Sequence, residues 1–142
     1  MSEPVSETPL VVTLSIPCRA EYVGVARLAI LGVASRLDFS YDEVEDLRLA
    51  VGEACAGAID HLGDGGSDAT SINLRCEIAP AELTVVVGYS TGSSGEGSKV
   101  EKADPENIGA LLMEILVDSV DISHDPEGGT SIRLVKMVHP SS

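Results

Sequence analysis

Three carboxylates, Asp46, Glu53 and Asp60, recur every seven residues in the run Asp46-Leu-Arg-Leu-Ala-Val-Gly-Glu53-Ala-Cys-Ala-Gly57-Ala-Ile-Asp-His61. Seven residues are close to two turns of an α-helix, so these acids share one row with Ala50 and Gly57. About 100° round the same helix, Leu47, Val51, Ala54 and Ala58 form an apolar stripe that has to be buried. The acidic row therefore runs along the edge of a core. A carboxylate placed there can take a proton from a hydroxyl held beside it, or can face water as plain acidic surface. Gly57 stands one turn beyond Glu53, so whatever Glu53 touches passes over a position with no side chain.

The run Glu53-Ala-Cys-Ala-Gly57-Ala-Ile-Asp-His61 resembles the N-box of the GHKL ATPase superfamily, whose pattern is Glu, three residues, Asn, Ala, two variable residues and His. Ala20-Glu-Tyr-Val-Gly-Val-Ala-Arg27, Gly32-Val-Ala-Ser-Arg36 and Tyr41-Asp-Glu-Val-Glu-Asp-Leu47 extend the likeness. Together they are similar to the bacterial anti-sigma-factor serine kinases of the RsbW type, closely over about a third of the chain and more weakly to its C-terminus. The resemblance implies a Bergerat-type ATPase fold: an α/β (α+β) two-layer sandwich with helices on one face of a mixed, mostly antiparallel sheet. It also implies an anti-sigma factor that sequesters a stress-type sigma factor, is released by a STAS-domain anti-anti-sigma partner, and pairs into a homodimer.

The elements that position the acidic row follow from periodicity. Leu10 to Ile16 alternates as a strand that Pro17 ends. From about Glu21 to Leu37, Val25, Leu28, Ala29, Leu31 and Val33 support a helix that carries Gly24 and Gly32, which can allow close packing. Ser40-Tyr-Asp-Glu43 reads as a capping box that launches the helix of the acidic row. Strands follow over Ser71 to Ile78 and Glu82 to Val87, alternating on Ile72, Leu74 and Cys76, then on Leu83, Val85 and Val87. After Tyr89 a Ser/Gly-rich tract predicts a flexible loop over 89–104, which in the resembled family is the lid over the nucleotide. Asp104 and Pro105 start a helix whose expected inner stripe is Ile108, Leu111, Leu112, Ile115 and Leu116. Strands near Val120 to Ser123 and over Thr130 to Met137 close a chain that reads as one domain, 1–142.

The resemblance can then be tested position by position. Glu53 stands where the family has the general base that activates a hydroxyl for attack on the γ-phosphate. Gly57 replaces the Asn whose oxygen ligates magnesium and has no oxygen to offer. Tyr89 and Thr91 fall at the family's Asp and Gly that receive adenine. Tyr89 cannot act as a carboxylate, and its ring occupies space a purine needs. Asn107-Ile108-Gly109-Ala110 keeps one glycine of the Gly-x-Gly-Leu that approaches the phosphates, and Gly129-Thr130 matches the terminal Gly-Thr strand. No cofactor and no metal site are expected on this reading, and kinase activity falls to weak or none. The alternative is an active serine kinase that uses ATP and magnesium to phosphorylate the STAS-domain antagonist. A third reading is an interaction domain with no link to sigma factors.

Composition narrows the partners. A net charge of −14, from 23 acids against 9 Lys and Arg, opposes nucleic-acid binding and suits a basic protein partner. Arg19, Glu21, Tyr22 and Arg27 near the first helix are the candidates for a partner surface, with an ordinary helix exterior as the other reading. No segment has the length of a membrane span or the pattern of a signal peptide, so a cytoplasmic location is expected. Cys18, Cys55 and Cys76 lack metal or redox spacing, and the apolar patterns around Cys55 and Cys76 point to buried free thiols.

Overall fold

Alternation makes the first segment a strand, β1 (Leu10–Pro17), in the computed structural model, which describes residues 10–62, 70–90 and 108–139. A 3₁₀ turn over Ala20–Tyr22 leads into helix α1 (Val23–Ala34). The expected capping box then opens α2 (Tyr41–Leu62): Ser40 N–H donates to Glu43 Oε1 at 2.8 Å, and Glu43 N–H donates to Ser40 Oγ at 3.1 Å. Strands β2 (Ser71–Ala79) and β3 (Glu82–Ser90) follow, then α3 (Ile108–Leu116), β4 (Ser119–His124) and β5 (Gly129–Met137). The sheet order is β1-β2-β3-β5-β4.

Every pairing is antiparallel, so the mostly antiparallel sheet contains no parallel pair among the described residues. Short hairpins join β2 to β3 and β4 to β5, and a short turn can only reverse the chain. The helices cover one face of this sheet, giving the two-layer α+β sandwich. Leu47, Val51, Ala54 and Ala58 of α2 are all fully buried and meet Leu83, Val85 and Val87 of β3 and Leu134 of β5 in a single core cluster. The core is aliphatic, as a chain with no Trp and a single Phe requires.

Two helices differ from the sequence expectation in the face they bury. In α1 the buried side chains are Ala26, Ile30, Val33 and Ala34, while Val25, Leu28 and Leu31 point outwards. Gly24 and Gly32 meet nothing within 4 Å of a Cβ position, so they serve no close packing among the described residues. In α3 the expected inner stripe is kept only in part: Leu112 and Leu116 are half-buried, with Leu116 packed against the core, but Leu111 is exposed. Ile108 and Ile115 are 73% and 78% exposed, and the helix buries Ala110 and Met113 instead. Its sequence IGALLMEIL is apolar almost all round, so periodicity could not choose a side.

β3 runs three residues further than its alternation suggested, through Gly88, Tyr89 and Ser90, which pair with Ser131, Thr130 and Gly129. The expected loop thus loses residues 89 and 90 to the sheet, and its remainder, 91–104, lies outside the described residues, as do Asp104 and Pro105. Cys18, Cys55 and Cys76 are buried free thiols. Burial pushes Cys55 up to about 12 and Cys76 to about 11. Among the described residues no helix is long and apolar enough to cross a membrane.

Candidate functional site

α2 lies between the other two helices, and its two flanks carry different chemistry. On the α1 side, the Arg27 guanidinium covers Gly52: a Cβ on residue 52 would stand 3.0 Å from Arg27 Nε. That Nε is buried without a hydrogen-bond partner, and Arg27 forms no ion pair among the described residues. On the α3 side, Lys136 of β5 is only 7% exposed, and its Nζ donates to the Leu116 carbonyl at 2.8 Å while lying 3.8 Å from Asp46 Oδ2. A buried ammonium needs such partners, and here it satisfies an end-of-helix carbonyl that α3 itself leaves open.

Along the α3-facing flank, Glu53 is half-buried and makes no hydrogen bond or ion pair with the described residues. Gly57, one turn on, is exposed, and a Cβ there would meet nothing within 4 Å. Among the described residues, the gap expected beyond Glu53 is therefore open space. Asp60 is exposed.

The strand ends below the last turn of α2 hold a polar row that sequence reading missed. Tyr89 on β3 sits opposite Thr130 on β5, and Thr130 sits opposite His124 on β4. Tyr89 is 8% exposed, its hydroxyl lies 3.1 Å from His61 Nδ1, and the two rings meet edge to face with centroids 5.7 Å apart. The same hydroxyl bonds Thr130, whose Oγ1 is 3.2 Å from His124 Nδ1. Burial raises the Tyr89 phenol above its ordinary value and outweighs the opposing Thr130 bond, so the group is a neutral phenol. The available signal was register: Tyr89 and Thr130 begin or end neighbouring strands, which places them side by side.

Of the other candidate residues, Gly109 lies half-buried in the first turn of α3 and Thr130 is buried, while Thr91 and Asn107 lie outside the described residues. Arg19 and Glu21 are exposed and Tyr22 is partly so, all at the 3₁₀ turn before α1. Tyr89 and Thr130 are brought into contact, whereas Glu53 is bonded to neither. No group of three or more His, Cys, Asp or Glu side chains among the described residues is placed to hold a metal ion.

At the opposite end of α2, Glu43 has a second task besides the cap. Its Oε2 lies 3.1 Å from His139 Nδ1, and His139 Nε2 lies 3.3 Å from Asp118 Oδ1. Burial alone would raise the Glu43 carboxyl, but the hydrogen bonds from the Ser40 N–H and from His139 together hold it below the ordinary carboxylate value.

Comparison with known proteins gives this geometry its context. A family model described as a histidine kinase-like ATPase domain matches residues 16–136. The chain is 31% identical to the serine-protein kinase RsbW of Bacillus pumilus (strain SAFR-032), over 94% of this chain and 90% of that protein. It is 34% identical to the serine-protein kinase RsbW of Bacillus mycoides (strain KBAB4), over 89% and 84%. Among solved structures, the RsbU and RsbW domains of a Mycobacterium tuberculosis protein match with a TM-score of 0.69 at 16% identity, over 93% of this chain and 34% of that one. The SiaB-SiaC complex from Pseudomonas aeruginosa matches with a TM-score of 0.63 at 14% identity, over 91% and 90%. At such identities these two structures speak for the fold alone.

Proposed function

This chain belongs to the histidine kinase-like ATPase domain family, among its RsbW-type regulators, and we propose that it acts as an anti-sigma factor whose nucleotide site has degenerated. In this reading it is a single-domain cytoplasmic homodimer that sequesters a stress-type sigma factor and is released by a STAS-domain partner. The observation that carries the degenerate site is Tyr89. At the position where the resembled family anchors adenine, a buried phenol is tied by its hydroxyl to His61 and Thr130. Gly57 adds the second departure, since it brings no oxygen to a magnesium ion. Position 57 thus offers no oxygen to magnesium, and position 89 no carboxylate to adenine. Two lost polar partners at about 1–3 kcal/mol each correspond to about 30-fold to 10⁴-fold in affinity.

The partner-binding half of the proposal rests on Arg27. Its guanidinium is propped over Gly52, has no carboxylate among the described residues, and lies in a chain with 23 acids. A fixed planar cation of this kind suits a carboxylate on a partner protein. Calorimetry with ATP and magnesium tests the site, and micromolar binding refutes the degenerate reading. Co-purification of a sigma subunit tests the partner.

A second reading, an active serine kinase for the STAS partner, is favoured by the retention of Glu53 and by the kinase name of the relatives. Transfer of radiolabelled phosphate from ATP to a cognate STAS protein separates the two: transfer supports the kinase, and its absence with intact sigma binding supports the anti-sigma module.

A further inference from the structure

The outside of the helix layer carries an apolar ridge that the described residues leave uncovered. α3 presents Ile108 at 73%, Leu111 at 44% and Ile115 at 78% exposure. Their spacing gathers them on the side of the helix opposite Ala110 and Met113. Single exposed apolar residues are ordinary, but a contiguous set on one helix face marks an interaction site.

Beside the ridge runs the acidic flank of α2. Lys136 fixes the adjacency, because one ammonium reaches both the Leu116 carbonyl at the end of α3 and the Asp46 carboxylate. Asp46, Glu53 and Asp60 share that flank by their spacing, away from the side where Arg27 covers Gly52. Glu53 and Asp60 form no ion pair among the described residues, Glu114 adds an acid on α3 itself, and α3 contains no Lys or Arg.

We propose that the α3 ridge and the α2 acidic row form one docking surface, and that its occupant is an amphipathic helix of a partner protein with aliphatic side chains on one face and Lys or Arg along its flank. The ridge asks for aliphatic anchors at helical spacing. The row selects the charge: a cationic flank is attracted by Asp46, Glu53 and Asp60, and an anionic one is repelled, most strongly at low salt. This deepens the partner-binding reading above but does not require that the partner be a sigma factor.

The test uses the full chain and two probe peptides of about five helical turns, one of Leu and Lys and one of Leu and Glu, each patterned to be amphipathic. The Leu/Lys peptide is expected to bind, with amide shifts gathered on α3 and the facing side of α2, and the Leu/Glu peptide is not. Ile108→Ser/Ile115→Ser removes two exposed side chains, keeps the fold by circular dichroism, and weakens Leu/Lys binding about tenfold or more. Asp46→Asn/Asp60→Asn lowers affinity at low salt and flattens its salt dependence. Failure of the Leu/Lys peptide to bind, or equal binding to wild type and the double-serine variant, overturns the proposal. Shifts confined to α1 do the same. So does sedimentation in which the double-serine variant converts a dimer to a monomer, because the ridge then belongs to a second copy. If no sigma subunit co-purifies while the mapped binding stands, the sigma reading falls alone.

Discussion

Rebuilding the two missing nucleotide ligands, by Gly57→Asn and Tyr89→Asp, tests the degenerate-site proposal most directly. The first change meets no described residue within 4 Å of a Cβ at position 57, and Asn is better than Gly inside a helix by a few tenths of a kcal/mol. The second is costly, because Tyr89 is 8% exposed and bonded to His61 and Thr130. On the scale of aromatic truncations in cores it destabilises by about 3–5 kcal/mol, a large part of the roughly 5–15 kcal/mol that holds a domain folded. Circular dichroism must therefore show the double variant folded before it is assayed, with Gly57→Asn alone as the variant that carries no such risk. Each regained polar partner contributes about 1–3 kcal/mol, so titration calorimetry with ATP and magnesium should show the double variant binding about 30-fold to 10⁴-fold more tightly than wild type. A wild-type protein that already binds in the micromolar range refutes the reasoning. A folded double variant with unchanged affinity does so as well, since neither residue is then what excludes the nucleotide.

Tyr89→Phe keeps the ring but leaves His61 and Thr130 without their shared hydroxyl. It should lower stability by about 1–3 kcal/mol, seen as a fall of several degrees in the thermal midpoint. Glu43 contributes stability fully above the ordinary carboxylate value and loses it as pH falls through its lowered folded-state value. Urea midpoints measured from neutral pH downwards should accordingly fall more for wild type than for Glu43→Gln. Gly24→Ala/Gly32→Ala meets open space on α1 and should stabilise by up to about 1 kcal/mol per site. Thermal destabilisation instead means that this face of α1 is covered in solution.

The sequence was most legible where one physical requirement dominated. The α2 stripe of Leu47, Val51, Ala54 and Ala58 and the Ser40–Glu43 box could be read because burial and capping each demand fixed spacings. Strand positions were equally open to period-two reading. The orientation of α3 was not, since Ile108, Leu111 and Ile115 compete with Ala110 and Met113 for the core on nearly equal hydrophobicity, and tertiary fit decides. The site was half legible. Glu53 and Gly57 could be placed relative to each other because one helix fixes them both, but the partners of Tyr89 come from α2 and β5, with His124 of β4 reaching only Thr130, and the sheet register is what joins the three strands. Arg27 over Gly52 was hidden for the same reason: contact between helices leaves no period in either segment.

The polar row at the strand ends works as a ratchet. Tyr89 leans on His61 and Thr130, and Thr130 leans in turn on His124. Exchanging any single member strands the polar atoms of its neighbours, so a route back to a ligand-anchoring residue at position 89 must cross a less stable chain. Drift around this row should be confined to concerted changes of two or more members, and shuffled libraries over residues 61, 89, 124 and 130 should return them as linked sets.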